Sequence, residues 1–159
     1  MAGLAAGRKL ARAGYGVTLF EKSRGLGGRV TTRRVEGGFA IDHGAQLMKA
    51  PTPALQALVS EVPGAEPIDG PVWVFAGDGP PRPGDPAQNA EPQWTWPGGI
   101  AALGRYLGQN LDVRRETTVA GLTGEQGAYR VRGDAGEEGP FEAVILTPPA
   151  PQSAAILTA

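Results

Sequence analysis

The chain has 159 residues, with 15 Lys and Arg against 16 Asp and Glu and a net charge of −1. That length suffices for a domain with a real core, and the charge balance lacks the basic footprint of a binder of nucleic acid or acidic membranes. There is no Cys and a single His, which excludes disulfides and thiolate chemistry and leaves no ligand set for a structural zinc.

The spacing of Leu4, Gly7, Leu10 and Ala11 predicts a helix over 3–14, with Gly14 as its stop. Arg8, Lys9 and Arg12 interrupt this stretch, so no secretory leader is expected. No window is long and apolar enough to span a bilayer, and a cytoplasmic protein is the default. Residues 17–20 are a short apolar run closing on Glu21, as a strand buried in a parallel sheet would be. A loop, SRGLGGR, follows. A second amphipathic helix is expected over 52–62 with Thr52 as its cap.

From 63 to 92 the chain is rich in Pro and Gly, with one strand-like island at 72–75. A helix over 96–109 opens at Gly98 and Gly99. Strands are expected over 112–119, 128–132 and 141–146, the last buried on both faces because its apolar run is unbroken. Pro148 to Pro151 breaks the chain before a final short helix. The order implies an α/β fold: a parallel sheet with a second region inserted after its first unit.

Two constellations carry chemistry. Gly3 opens a helix, and Glu21 ends the strand that follows it. In a dinucleotide-binding unit, glycines at that turn let the backbone approach a pyrophosphate, and an acid at the end of the second strand accepts ribose hydroxyls. Gly25-Leu26-Gly27-Gly28-Arg29 follows at once. Paired glycines let the backbone close over a phosphate, and Arg29 brings a fixed fork of donors to neutralise it.

The stretch LARAGYGVTLFEKSRGLGGRVTTRR resembles the flavin-containing amine oxidase superfamily, whose signature runs from the ribose-binding Glu into G-G-R. DHGAQ at 42–46, WPGGIAAL at 96–103 and VILTPPAPQ at 144–152 resemble its renalase branch more particularly. The resemblance runs over nearly the whole chain and is weakest at 63–93. It implies a Rossmann-type FAD-binding α/β domain carrying part of an inserted α+β substrate domain. The expected division is 1–50 for the FAD-binding portion, 51–110 for the substrate domain, and 111–159 for the return.

The resemblance also implies FAD as cofactor and hydride transfer from a small substrate to the flavin, with molecular oxygen as acceptor. For renalases the substrates are misreduced dihydronicotinamide dinucleotides. It places Ala2 and Gly3 at the pyrophosphate turn, Glu21 at the AMP ribose, Arg29 at the phosphates or flavin edge, Gln46 with Leu47 in the isoalloxazine surroundings, and the Val119 backbone on the adenine side. Lys22, Gly27, Gly28, Gly44 and Ala45 are further cofactor-binding candidates.

Two departures stand out. The family usually follows GAQ with an aromatic residue where this chain has Leu47 and Met48, which leaves substrate preference open. The fingerprint's first strand and first two glycines are also missing, so the chain is expected to be a fragment of a longer protein, truncated at both ends.

His43 is not expected to be catalytic, because hydride transfer from a dihydropyridine needs no proton abstraction at carbon; no catalytic residue is named. Trp73 is expected in the core, whereas Trp94 and Trp96 are open between core and substrate pocket. The 29–34 arginine cluster reads as a solvated face. Neither a nucleic-acid nor a membrane partner is expected, and no metal. Two other readings stay open: an amine oxidase or polyene desaturase of the same superfamily, and a non-catalytic truncated remnant.

Overall fold

Helix α1 (Ala2–Arg12) buries Leu4 and Gly7 and lies on strand β1 (Thr18–Glu21). A Cβ on Gly7 would sit 3.0 Å from Leu19 Cδ1, and one on Gly3 would sit 3.8 Å from Leu19 Cδ2. The helix approaches the strand this closely because its facing positions carry no side chain. Leu10 is half-buried and Ala11 exposed, so the buried stripe is narrower than the spacing predicts. The N–H groups of Gly14 and Tyr15 return to the carbonyls of Ala11 and Leu10 at 3.0 and 3.1 Å, the paired bonds of a Schellman ending.

The computed structural model describes residues 1–159, apart from the side chain of Gln88. After β1 come β2 (Thr32–Arg34), β3 (Ala40–Asp42), β4 (Met48–Lys49) and α2 (Pro53–Glu61). The Pro- and Gly-rich stretch holds β5 (Glu66–Pro67), β6 (Trp73–Val74), β7 (Arg82–Pro83) and α3 (Pro86–Asn89). Then follow β8 (Gln93–Thr95), α4 (Ala102–Leu107), β9 (Asp112–Arg115), β10 (Val119–Thr123), β11 (Tyr129–Gly133), β12 (Gly136–Phe141) and α5 (Ala150–Thr158).

The chain forms two units, residues 1–28 with 107–159 and residues 29–106. These bounds differ from the sequence-based division at 50/51 and 110/111. In the first unit β1 and β9 run parallel, from Thr18 opposite Asp112 to Glu21 opposite Arg115. Strands β10, β11 and β12 form an antiparallel meander on which α5 packs through β10. Leu4, Leu107 and Val131 are its buried apolar residues. Phe20 meets Phe141 edge to face, with ring centroids 6.1 Å apart. Arg114 hydrogen-bonds Asp112 and holds its carboxyl below the ordinary value, against the opposing effect of burial and with help from Thr18.

The second unit holds the β2–β3 hairpin, the three-stranded antiparallel sheet β4–β8–β5 and the β6–β7 hairpin. Its core is Ala50, Val59, Val62, Trp96, Ile100 and Leu103. Helix α2 starts as expected: Thr52 Oγ1 accepts the Leu55 N–H, and Pro53 occupies the first turn. No helix among the described residues is long and apolar enough to cross a membrane.

Several expectations are corrected. Among the described strands the parallel pairing is confined to β1 and β9; the others pair antiparallel. The strand expected over 112–119 is two strands, broken where Glu116 takes a φ of 56°. The apolar run 141–146 is not a strand buried on both faces: β12 ends at Phe141, and Ile145 is 60% exposed. Hydropathy alone cannot supply the neighbouring backbone that a strand needs. The helix over 96–109 shrinks to α4, because Gly99 at φ 95° cannot be helical. Trp73 is 52% exposed rather than core, on a two-residue strand facing Pro83 in a hairpin too short to be covered.

Filling the gap at Gly7 tests the helix–strand contact. Gly7→Val forces Leu19 aside, and the loss should be about 1–3 kcal/mol, as overpacking costs. A lowered urea midpoint with unchanged slope is the expected result.

Candidate dinucleotide-binding site

The first unit presents Glu21 at the carboxyl end of the parallel pair. Its Oε1 accepts the Ser23 N–H at 2.8 Å, which folds the carboxylate against its own turn and leaves Oε2 for another donor. The chain then runs alongside the segment after β9: Thr117 N–H donates to the Glu21 carbonyl at 3.1 Å and Glu116 N–H to the Ser23 carbonyl at 3.4 Å. Lys22 is exposed.

Gly27 and Gly28 turn the chain at φ values of 109° and 59°, a left-handed pair that side chains rarely adopt. Nothing lies within 4 Å of where a Cβ on Gly28 would be, so its backbone faces open space. The Met1 nitrogen donates to the Gly27 carbonyl at 3.4 Å, which ties this turn to the start of α1. That start has no side-chain cap and no acid in its first turn. Ala2 is exposed there. Gly3 is turned to protein instead: a Cβ on it would lie 3.0 Å from Thr147 Oγ1. This is the role of a glycine that allows close helix–strand packing, as distinct from one that touches phosphate. Val119 opens β10 and is half-buried.

In the second unit two motif loops are bonded through their backbones. The Arg29 carbonyl accepts the Ala45 N–H at 3.0 Å, and any side chain on Gly44 would run into that same carbonyl. The Arg29 side chain is exposed, as are His43 and Gln46, while Ala45 and Leu47 are half-buried. Leu47 borders a cavity of about 210 Å³ whose wall includes Lys49, Val72, Val74, Asn89 and Gln93. Trp94 is half-buried and Trp96 only 3% exposed; neither lines this cavity, and Trp96 belongs to the core.

The residue types at 32, 42 and 99 have a role that spacing alone did not reveal. Both Asp42 oxygens accept the Ile100 N–H at 3.1 Å. Thr32 Oγ1 donates to Asp42 Oδ1 and accepts the Ala101 N–H at 3.0 Å. Arg34 adds a bond to the Gly98 carbonyl at 3.2 Å. Gly99 must be glycine, since a Cβ there would collide with Thr32. The turn into α4 is thus closed by a protein carboxylate and offers no place for a phosphate. The legible signal was an acid ending one short strand and two glycines before an apolar helix. Their pairing across 58 residues was not legible.

Removing that carboxylate strands the Ile100 N–H. Asp42→Ala should cost about 1–3 kcal/mol, the range for a buried donor left unsatisfied, and Asp42→Asn should cost less because its amide oxygen still accepts. Chemical denaturation of the two variants checks the order.

No group of three His, Cys, Asp or Glu side chains able to hold a metal ion occurs among the described residues. The residues around Glu21 and the 27–28 turn are the ones able to hold a cofactor: an acceptor for hydroxyls at a strand end, and open backbone beside an uncapped helix start. Residues 1–62 match the family model described as the NAD(P)-binding Rossmann-like domain. The matched span contains α1, β1, Glu21, the glycine turn and the 42–47 segment, and the match supports a dinucleotide-binding domain of the oxidoreductase type in this part of the chain.

Proposed function

We propose that this chain is the cofactor-binding part of an FAD-dependent oxidoreductase of renalase-like type. The observation that carries the reading is Glu21 at the carboxyl end of the parallel strand pair, followed within seven residues by the left-handed Gly27–Gly28 turn. The residues fit the adenosine half of FAD. Glu21 has one carboxylate oxygen outside its own turn for ribose hydroxyls, and Ala2 with the 27–28 backbone offers donors to the pyrophosphate. Lys22 adds positive charge beside that ribose.

By the resemblance, Arg29 neutralises phosphate or meets the flavin edge, Gln46 and Leu47 lie around the isoalloxazine with Gly44 and Ala45 as further cofactor-binding residues, and the Val119 backbone faces the adenine. The bond from Ala45 to the Arg29 carbonyl supports treating 29 and 44–47 as one structural piece. FAD, when bound, accepts hydride from the substrate and passes the electrons to oxygen. The protein's part is to bind and orient. Glu21 holds the sugar, the glycine turn lets the backbone reach the phosphates, and the half-buried Leu47 gives an apolar wall beside which a small reduced substrate, such as a dihydronicotinamide dinucleotide, would lie. His43, exposed on its loop, is given no proton to move. A cytoplasmic location belongs to the same reading.

Glu21→Ala removes an acceptor of charge-assisted hydrogen bonds and should weaken FAD binding by about 2–3 kcal/mol, roughly 30- to 150-fold. Equilibrium titration by flavin fluorescence measures it, and unchanged affinity rejects the assignment.

Arg29 is tested by geometry as well as charge. Arg29→Lys keeps the charge and loses the fork, so FAD affinity should fall less than in Arg29→Ala. Equal affinities in the two variants, or in both and wild type, would mean that Arg29 is only a surface residue.

A further inference from the structure

Arg115 stands directly across from Glu21, its Cα partner in the parallel register. Of the two arginines ending β9, Arg114 is held by Asp112. Arg115 makes no ion pair among the described residues. Its guanidinium is exposed and donates only to the Arg24 carbonyl, at 3.4 Å. The bonds from Thr117 and Glu116 back to residues 21 and 23 extend the pairing past the strands, so 21–24 and 115–117 form a single rim. On this rim the Glu21 carboxylate keeps a spare oxygen and, one strand over and directly across from it, the Arg115 guanidinium is anchored by a single edge.

We propose that Arg115 is a specificity residue for the adenine base, its guanidinium plane lying against the ring. The inference rests on the reading that Glu21 takes the ribose. With the phosphates at the glycine turn and the sugar on Glu21, the base continues past the end of β1, onto the strand that pairs with it. Nothing apolar and aromatic is offered there: the side chains of the rim are Glu21, Lys22, Ser23, Arg24, Arg115, Glu116 and Thr117. A planar cation is the kind of group among these able to cover a π face, and of the two arginines Arg115 is the one on the strand paired with β1, across from Glu21, with a bond to the Arg24 carbonyl that leaves its plane free.

The test is calorimetric titration of the 159-residue chain with two probes, ADP and inorganic pyrophosphate. Wild type should prefer ADP. Arg115→Ala should weaken ADP about five-fold, as loss of an exposed cation–π contact does, and leave pyrophosphate binding as it was. Arg115→Lys, with the charge but no plane, should regain less than half of that loss. Unfolding midpoints should match wild type for both variants, because the side chain is exposed. Equal weakening of both probes would make Arg115 a general phosphate attractor and overturn the proposal, as would unaltered ADP binding. Glu21→Ala separates the two layers. If it abolishes the ADP preference while Arg115→Ala changes nothing, the ribose reading survives and the adenine proposal falls. If wild type does not distinguish ADP from pyrophosphate, both fall.

Discussion

Leu19 reaches helix α1 at the places where the helix has no side chains, Gly3 and Gly7. A helix and a strand carrying ordinary side chains would be pushed apart, and the start of α1 would move away from the end of β1. Here the close seat, the Schellman ending at Gly14 and the tight return into β1 place Glu21 and the uncapped helix start in one small unit. The bond from Met1 to the Gly27 carbonyl then ties the following turn to the same spot. The candidate site depends on this seat, which the burial of Leu4 and the edge-to-face contact of Phe20 with Phe141 reinforce.

The chain treats its helix starts in two ways, and the contrast bears on function. At α2 and α3 the side chains of Thr52 and Asp85 accept amide hydrogens. At the turn into α4, Asp42 and Thr32 do so from a distant hairpin. A carboxylate in that place satisfies the first amides and cancels their positive end, so an anionic ligand has nothing to gain there. The start of α1 has neither a capping side chain nor an acid, and it is bonded to the 27–28 turn, where the exposed Gly28 faces open space. The glycine-rich start that resembles a phosphate site most in composition, at 98–99, is the structural one. The starts of α1 and α5 both lack a side-chain cap, and the α1 start is the one tied to the 27–28 turn, through the bond from Met1 to the Gly27 carbonyl.

Within the second unit the backbone does the joining. Arg29, which follows the glycine pair, and Ala45, two residues after His43, are held together by one amide–carbonyl bond, and Gly44 is required because that carbonyl occupies the place of its side chain. The same unit leaves Trp73, Val74 and Phe75 largely exposed in succession on a short hairpin. Strand alternation and burial are decoupled there, because two residues of pairing with a Pro-bearing partner strand leave no second layer to cover either face.

Much of the local chemistry that depends on neighbours in the chain was legible in the sequence, though not the positive φ values at Gly99 and Glu116 that cut short an expected helix and strand. Helical spacing, the stop at Gly14, the cap at Thr52, the strand closing on Glu21 and the paired glycines at 27–28 are all short-range properties, set by sterics and hydrogen bonds within a few residues. The matched Rossmann-like segment lies where those signals are densest. Tertiary structure decided what depends on partners far along the chain: which runs find backbone to pair with, so that 18–21 becomes a strand while 142–146 does not, and which tryptophan is covered. It decided too that Asp42 closes a helix 58 residues away and that Arg115 faces Glu21. The reason is common to these cases. A hydrogen-bonding group or an apolar face is worth little until a complement is brought to it, and a linear order of residues does not state which complement arrives.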